Sequence, residues 1–428
     1  MSLISKIFSG EKACSLHPEP ISVATLKQLI PIRNINEDEL TAYTQDNQSE
    51  VHAAKTILFK GGEQDSSILY LLEGRVRVDV EGGESYEIEA ESAKANFPLS
   101  TGRKHSGTAI ALSDVRVLRV SNRIMGSTSP TKTTLDFADQ INALEIPEEV
   151  KSSRLLESFC QYYGQEHPSL PTMPDIATRL RKALANDVPI DKVVDIVQLD
   201  PAIATKLIQV ANCPLYVATK PVTSCRDAVI RLGLNATRTL VTSITLKQLF
   251  TCNKIPIKQK ARLAWQQSVN LSCLCFVLAS ESASVNPEDA LLAGLICDIG
   301  MIPFLQFVDN FPTEFYEPDE IDLIAPYICG PAGHFLLKKW DFSEELILIP
   351  QESQNWYYDS SDKLNLTDVV ILSKLHSYIG TPSMAKLPPI NSIPACSKLP
   401  DGTLSPEHSL NVLHLAKDRV KEAFSIFD

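Results

Sequence analysis

The texture of this chain changes once, and that change rules out a single fold class. From about residue 51 to 120 the apolar residues come in short runs: VHAAKTILF, SILYLLEG, RVRVDV, SYEIEAE, SGTAIAL and VRVLRV. They are rich in β-branched residues and are punctuated by Gly pairs at 61–62 and 82–83, the pattern of short strands joined by tight connections. Short strands at this spacing predict a barrel, sandwich or jelly roll. Next comes a polar, hinge-like stretch, GSTSPTKTTL at 126–135. Beyond it the apolar spacing is helical up to about 380, in runs such as DIATRLRKALAN, DPAIATKLIQVAN and IKQKARLAWQQSVNLSCLCFVLAS. A chain of 428 residues exceeds one ordinary core, so two domains of different class are expected.

The same changes in texture set the boundaries. Residues 1–22 are a polar lead-in, 23–125 the strand domain, and 126–160 a linker with a connecting helix. Residues 161–380 are the helical domain. Residues 381–407 are rich in Pro and Ser and read as a tether along the surface. Residues 408–428 read as an amphipathic helix whose apolar stripe docks on the body of the chain or on a partner.

Charge and cysteine usage narrow the function. A net charge of −12 argues against a large nonspecific nucleic-acid footprint, which needs a basic surface. Ten cysteines are scattered without a CxxC pair, and Cys273 and Cys275 form only a CxC. That is neither a zinc ribbon nor a disulfide framework, and it predicts buried, reduced thiols in a cytoplasmic protein. The N-terminus has no apolar run long enough for a signal peptide. The longest apolar run, Ala290 to Val308, contains Asp298 and Gln306. An ionised residue in mid-span is costly in lipid, so a buried core helix is expected and no membrane association.

Two resemblances give these domains content. Residues 57–78, ILFKGGEQDSSILYLLEGRVRV, and the later SGTAIALSDVRVLRV resemble the cyclic-nucleotide-binding β-roll of the catabolite activator protein family, over roughly residues 25–125. In that family a short cassette presents backbone N–H groups, an Arg and a Glu to the ligand. Here the cassette reads NFPLSTGRKHSGTAIA. His105 stands at the Arg position and Gly107 at the Ala position, the Gly-Glu pair is missing, and Pro98 removes a donor. Arg103, Lys104, His105 and Ser106 remain as a degenerate ligand site. No helix-turn-helix comes after the roll, so no DNA partner is expected.

The strings PSLPTMPDIATRLRKAL, LDPAIATKLIQVANCPLY and PVTSCRDAVIRLGLNATRTLV resemble the HDOD domain, a signalling relative of the HD phosphohydrolases, over about 165–380. Asp200 reads as a helix N-cap before Pro201 at the first helical position. Asn212 reads as a helix-end residue that bonds backbone and tolerates a left-handed conformation. Gly233 reads as a C-terminal cap. All four are structural positions.

The HD resemblance also implies where metal ligands would stand. The first histidine, in a Trp-x-His context, is Gln267. The His-Asp pair, within the helix LLAGLICDIGMIPFL, is Cys297 and Asp298. The His-rich turn falls at IPQES, 349–353, without a histidine, and the late Asp is Lys374. One surviving carboxylate does not hold a divalent ion tightly, so neither metal nor other cofactor is expected. Lys374 is instead expected to pair with Asp298. His334 and His376 are read as surface or interface histidines.

The fold class is therefore α+β multidomain, an N-terminal jelly-roll-like β-roll followed by an all-α HD-like domain. The function read from it is a non-catalytic bacterial regulatory protein. Its HDOD domain would bind signalling proteins, and the degenerate roll would control it by population shift through the 126–160 segment. A homodimer through the roll is expected. The competing readings are a cyclic-nucleotide receptor with a modified cassette and a metal-dependent HD-type phosphohydrolase, the latter disfavoured by the missing ligands.

Overall fold

The computed structural model describes residues 16–35, 37–65, 67–80, 85–100, 104–121, 146–164, 170–186, 188–213, 216 and 220–399. The expected hinge at 126–135, the expected C-terminal helix at 408–428 and Arg103 lie outside the described residues. The chain divides into two compact units. One holds the described residues up to 121 together with 379–399, and the other holds 146–378.

The first unit opens with α1 (Val23–Leu26) and α2 (Glu37–Asp46), then runs through seven strands. These are β1 (Glu50–His52), β2 (Ile57–Phe59), β3 (Ser67–Glu73), β4 (Arg75–Val80), β5 (Tyr86–Glu89), β6 (Gly107–Ala111) and β7 (Val115–Ser121). They form two antiparallel sheets, in the orders β1-β7-β3 and β2-β6-β4-β5. VHAAKTILF, which reads as one strand, is split into β1 and β2 around Lys55 at φ +74°.

The near-continuous apolar run of β3 has a simple cause. Leu69 and Leu71 point into the roll with Val115 and Val117 of β7. Ile68 and Tyr70, one pleat out of phase, pack with Leu118 and Val120 beneath Leu26 and Leu40 of α1 and α2. Both faces are buried, so alternation of polar and apolar residues is lost. Gly74, at φ +88°, turns β3 into β4, and a Cβ there would strike the Asp114 carbonyl.

Residues 381–399 are not a loose surface tether. They form 3-10 turns at Pro382–Lys386 and Ile390–Ser392 and a short helix at Pro394–Ser397. Ile393, Ala395 and Cys396 are at most 1% exposed. The prolines point to a linker, but the apolar residues among them need burial.

The second unit is helical. In chain order its helices are α3 (Glu148–Lys151), α4 (Arg154–Tyr163), α5 (Asp175–Ala185), α6 (Ile190–Gln198), α7 (Pro201–Ala211) and α8 (Cys225–Lys247). Then come α9 (Ile255–Ser282), α10 (Pro287–Ile296), α11 (Met301–Asn310), α12 (Pro318–Lys339), α13 (Glu344–Glu352) and α14 (Leu366–Ser377). α4 falls in the expected linker but belongs to this core. Its Phe159 packs on Phe304 and Phe307 with ring centroids 5.3 and 5.4 Å away.

LLAGLICDIGMIPFL is not one helix but the end of α10, a tight turn at 297–300 and the start of α11. The stretch Pro287–Asn310 is long and apolar enough to cross a membrane by composition, yet 78% of its most apolar window is buried inside the protein.

Candidate functional site

Asp298 lies in the turn between α10 and α11, where glycines let neighbouring backbones come close. A Cβ on Gly294 would stand 2.7 Å from Cys275 Sγ on α9, and one on Gly300 would strike the Cys329 carbonyl on α12. One on Gly333 of α12 would stand 2.7 Å from Pro350 Cβ on α13. Across this crowded junction α14 supplies Lys374. Its Nζ donates to Asp298 Oδ1 at 3.0 Å, and Gln354 Nε2 donates to the same oxygen at 3.5 Å.

The side chain of Lys374 is 8% exposed and that of Asp298 33%. Burial alone would lower the lysine's pKa. The carboxylate beside it outweighs burial and holds the ammonium above its ordinary range. Burial, and then Asp298, push the Cys297 thiol far up. Burial raises Cys275 to about 12 and raises Cys329 as well. These thiols stay protonated at neutral pH and are poor metal donors.

A divalent ion of the HD type does not fit these residues. It would meet one carboxylate, protonated thiols and a fixed ammonium. Gln267, at the expected first-histidine position, is exposed on α9 and does not bond Asp298. The 349–353 stretch is mostly helical, the end of α13 and its C-cap Ser353, rather than a turn. Among the described residues no group of three or more His, Cys, Asp or Glu could hold a metal. His334 is half-buried and His376 is buried. His376 is 5% exposed, and burial lowers the His334 pKa.

The described residues of the cassette bond back into the roll. His105 is 2% exposed, stacked on Phe59 with ring centroids 4.2 Å apart. Its Nδ1 is 2.5 Å from Ser100 Oγ. Burial lowers its pKa, and nearby Asp65 and Glu63 oppose that. The backbone turns inward too, since Leu99 N donates to Leu69 O and His105 N to Glu63 O. Ser106 Oγ donates to Asn391 O at 2.9 Å. Of the four expected ligand residues, His105 and Ser106 are engaged by the protein itself, and Lys104 is exposed beside Gln64.

The three HDOD strings fold as backbone devices. Asp200 Oδ1 accepts from Ala202 N and Ile203 N at 2.9 and 3.2 Å, with Pro201 opening α7. Asn212 is right-handed, at φ −99°, not left-handed. Its amide bonds both Val222 N and Val222 O at 2.8 Å, and Arg231 joins them at Asn212 Oδ1. Gly233, at φ +80° and ψ 169°, breaks α8 into two helical stretches. Sequence reasoning misses Gln354, Ser100 and Asn391. All three belong to no motif and become partners only through tertiary packing.

Residues 170–355 match the HDOD domain family. A crystal structure of a candidate metal-dependent phosphohydrolase from Shewanella amazonensis is similar, with 23% identity and a TM-score of 0.54, over 63% of this chain and 98% of that one. An HDOD domain protein of unknown function from Geobacter sulfurreducens has 21% identity and a TM-score of 0.47, over 64% and 96%. A candidate cyclic-nucleotide-binding protein from Geobacter metallireducens has 15% identity and a TM-score of 0.21, over 26% and 84%. No curated protein matches this chain. Residues 170–355 are thus an HDOD domain, set after an antiparallel β-roll.

Proposed function

We propose that this protein is a non-catalytic regulator, in which the HDOD domain binds signalling proteins and the β-roll controls it without a nucleotide. One observation carries the reading, the Lys374 ammonium bonded to Asp298 at 3.0 Å. Metal-assisted hydrolysis needs a cation with an open position to activate water. An ammonium supplies positive charge but no such position, so the pair keeps the junction folded and leaves it chemically idle. The inward-turned cassette supports the same view of the roll. The nine described cysteines are thiols, not disulfides, which fits a cytoplasmic setting. The proposal includes a homodimer through the roll, which sedimentation of the full chain would test.

Metal analysis of the purified protein, with a phosphodiesterase assay in added Mn²⁺, tests the central claim. The expected result is no stoichiometric Mn, Fe, Ni or Mg and no hydrolysis. Stoichiometric metal that is lost in Asp298→Ala would overturn it.

A further inference from the structure

α14 ends at Ser377, and Gly380, at φ +80°, redirects the chain. Residues 381–399 group with the roll, not with the helical unit that the chain has just left. The turn at 382–386 packs on the turn at Ala93–Asn96, just ahead of the cassette. Asn391 O takes the hydroxyl of Ser106, next to His105 at the end of the cassette. Burial, and then the neighbouring Cys396, raise the Tyr86 hydroxyl on β5. Ser392, Ile393, Ala395 and Cys396 are at most 1% exposed. Pro388 and Pro394 are buried among them.

We propose that the cassette end of the roll is a receptor for a proline-containing segment folded in short turns, filled here by the chain's own residues 382–397. Displacing this strap would act directly on α14, the helix that carries Lys374. Three physical features support this. Prolines restrict the unbound segment, so less chain freedom is lost when it docks. A hydroxyl-to-carbonyl bond and buried apolar anchors hold the segment against the roll. The link from strap to α14 is covalent and only a few residues long. The roll thus has a route to the helical domain that does not depend on residues 126–160. This deepens the proposed function by naming how the roll governs the HDOD domain, and it rests on that reading.

Hydrogen exchange on the full-length protein tests it. Three chains are compared: the wild type, Ile393→Asp, and a form with Gly-Gly-Ser inserted after Gly380. In the wild type, amides in 390–399 should exchange at least tenfold slower than in an unstructured peptide. Ile393→Asp should free them while β3, β4 and β7 stay protected, and should speed exchange at 371–377 at least tenfold. The insertion should loosen 371–377 while the strap stays protected. If Ile393→Asp unfolds the roll, Ser106→Ala replaces it, with strap exchange faster by about threefold or more from one lost hydrogen bond. An unprotected wild-type strap overturns the receptor. Unchanged exchange at 371–377 in the released and lengthened chains overturns the link. Either failure leaves the metal analysis untouched, so it is distinguishable from failure of the non-catalytic reading.

Discussion

Lys374 and Asp298 form a pair whose two members are unequally buried, with 8% and 33% of their side chains exposed. The inequality predicts an asymmetry. Asp298→Ala strands an ammonium with little access to water and should cost about 3–5 kcal/mol, the range for a broken buried pair. Lys374→Met leaves a carboxylate that water reaches, and should cost about 1–2 kcal/mol. The double variant should be more stable than Asp298→Ala alone. Urea denaturation reads all three, and equal losses for the two single variants would contradict the unequal burial.

The roll should weaken in mild acid because of His105. Its folded pKa lies below the ordinary value of 6.5, through burial. The folded state therefore binds fewer protons than the unfolded state in that window. The contribution is fully present above pH 6.5 and is lost as pH falls through the lowered folded pKa. Melting curves from pH 7.5 to 5 should show a shallower pH slope for His105→Gln than for the wild type. Parallel slopes would remove His105 from the account.

Gly300 is required by proximity, not by its backbone angle, since its φ is −61°. Its missing Cβ leaves room for the Cys329 carbonyl. Gly300→Ala should cost about 1–3 kcal/mol or more through overpacking. Gly330→Ala, whose Cβ would lie 3.2 Å from Pro350 O, should be markedly milder. Differential scanning calorimetry of the two variants makes the comparison.

Asn212 acts as a piece of backbone, closing residues 212–222 with one donated and one accepted bond to Val222. Asn212→Ala should cost about 1–2 kcal/mol and should raise proteolytic cleavage between 212 and 222. Cleavage at the wild-type rate would count against the clamp.

Glu288 offers a gain instead of a loss. Burial raises its pKa, while Tyr216 donates to Oε1 at 2.9 Å and Oε2 has no hydrogen-bond partner. A raised folded pKa means stability declines as pH rises past the ordinary carboxylate range. Glu288→Gln keeps the Tyr216 bond and removes the buried charge. It should melt higher than the wild type at pH 8, with the gain shrinking toward pH 5.

The sequence carries the local devices well and the tertiary ones poorly. Strands β3 to β7 and helices such as α7 and α14 are written in residue spacing and capping. Asp200 caps α7 as its neighbours imply, whereas Gly233 interrupts α8 at ψ 169° instead of forming a left-handed cap at a helix end. α12 is half hidden because Pro326 and Pro331 read as breakers. Its buried Ile321, Ile324, Ile328 and Leu336 outweigh the cost of about 3 kcal/mol for a proline within a helix. The break at 297–300 is invisible because the run is apolar throughout, and only the close approach of α12 demands it. Gln267 is placed by its Trp-x-x spelling, but its face of α9 points to solvent. The Lys374–Asp298 contact can be expected from the HD ligand order alone, whereas Gln354 has no such guide.

The roll is assembled from two stretches of chain with the whole helical unit between them. This sets an order of events during synthesis. The strands emerge from the ribosome first, but the strap that covers their cassette end emerges only after α14. At elongation rates of about 5–20 residues per second, the roll waits tens of seconds with that end open. Any nascent-chain factor that binds it must let go before residues 382–397 can take its place.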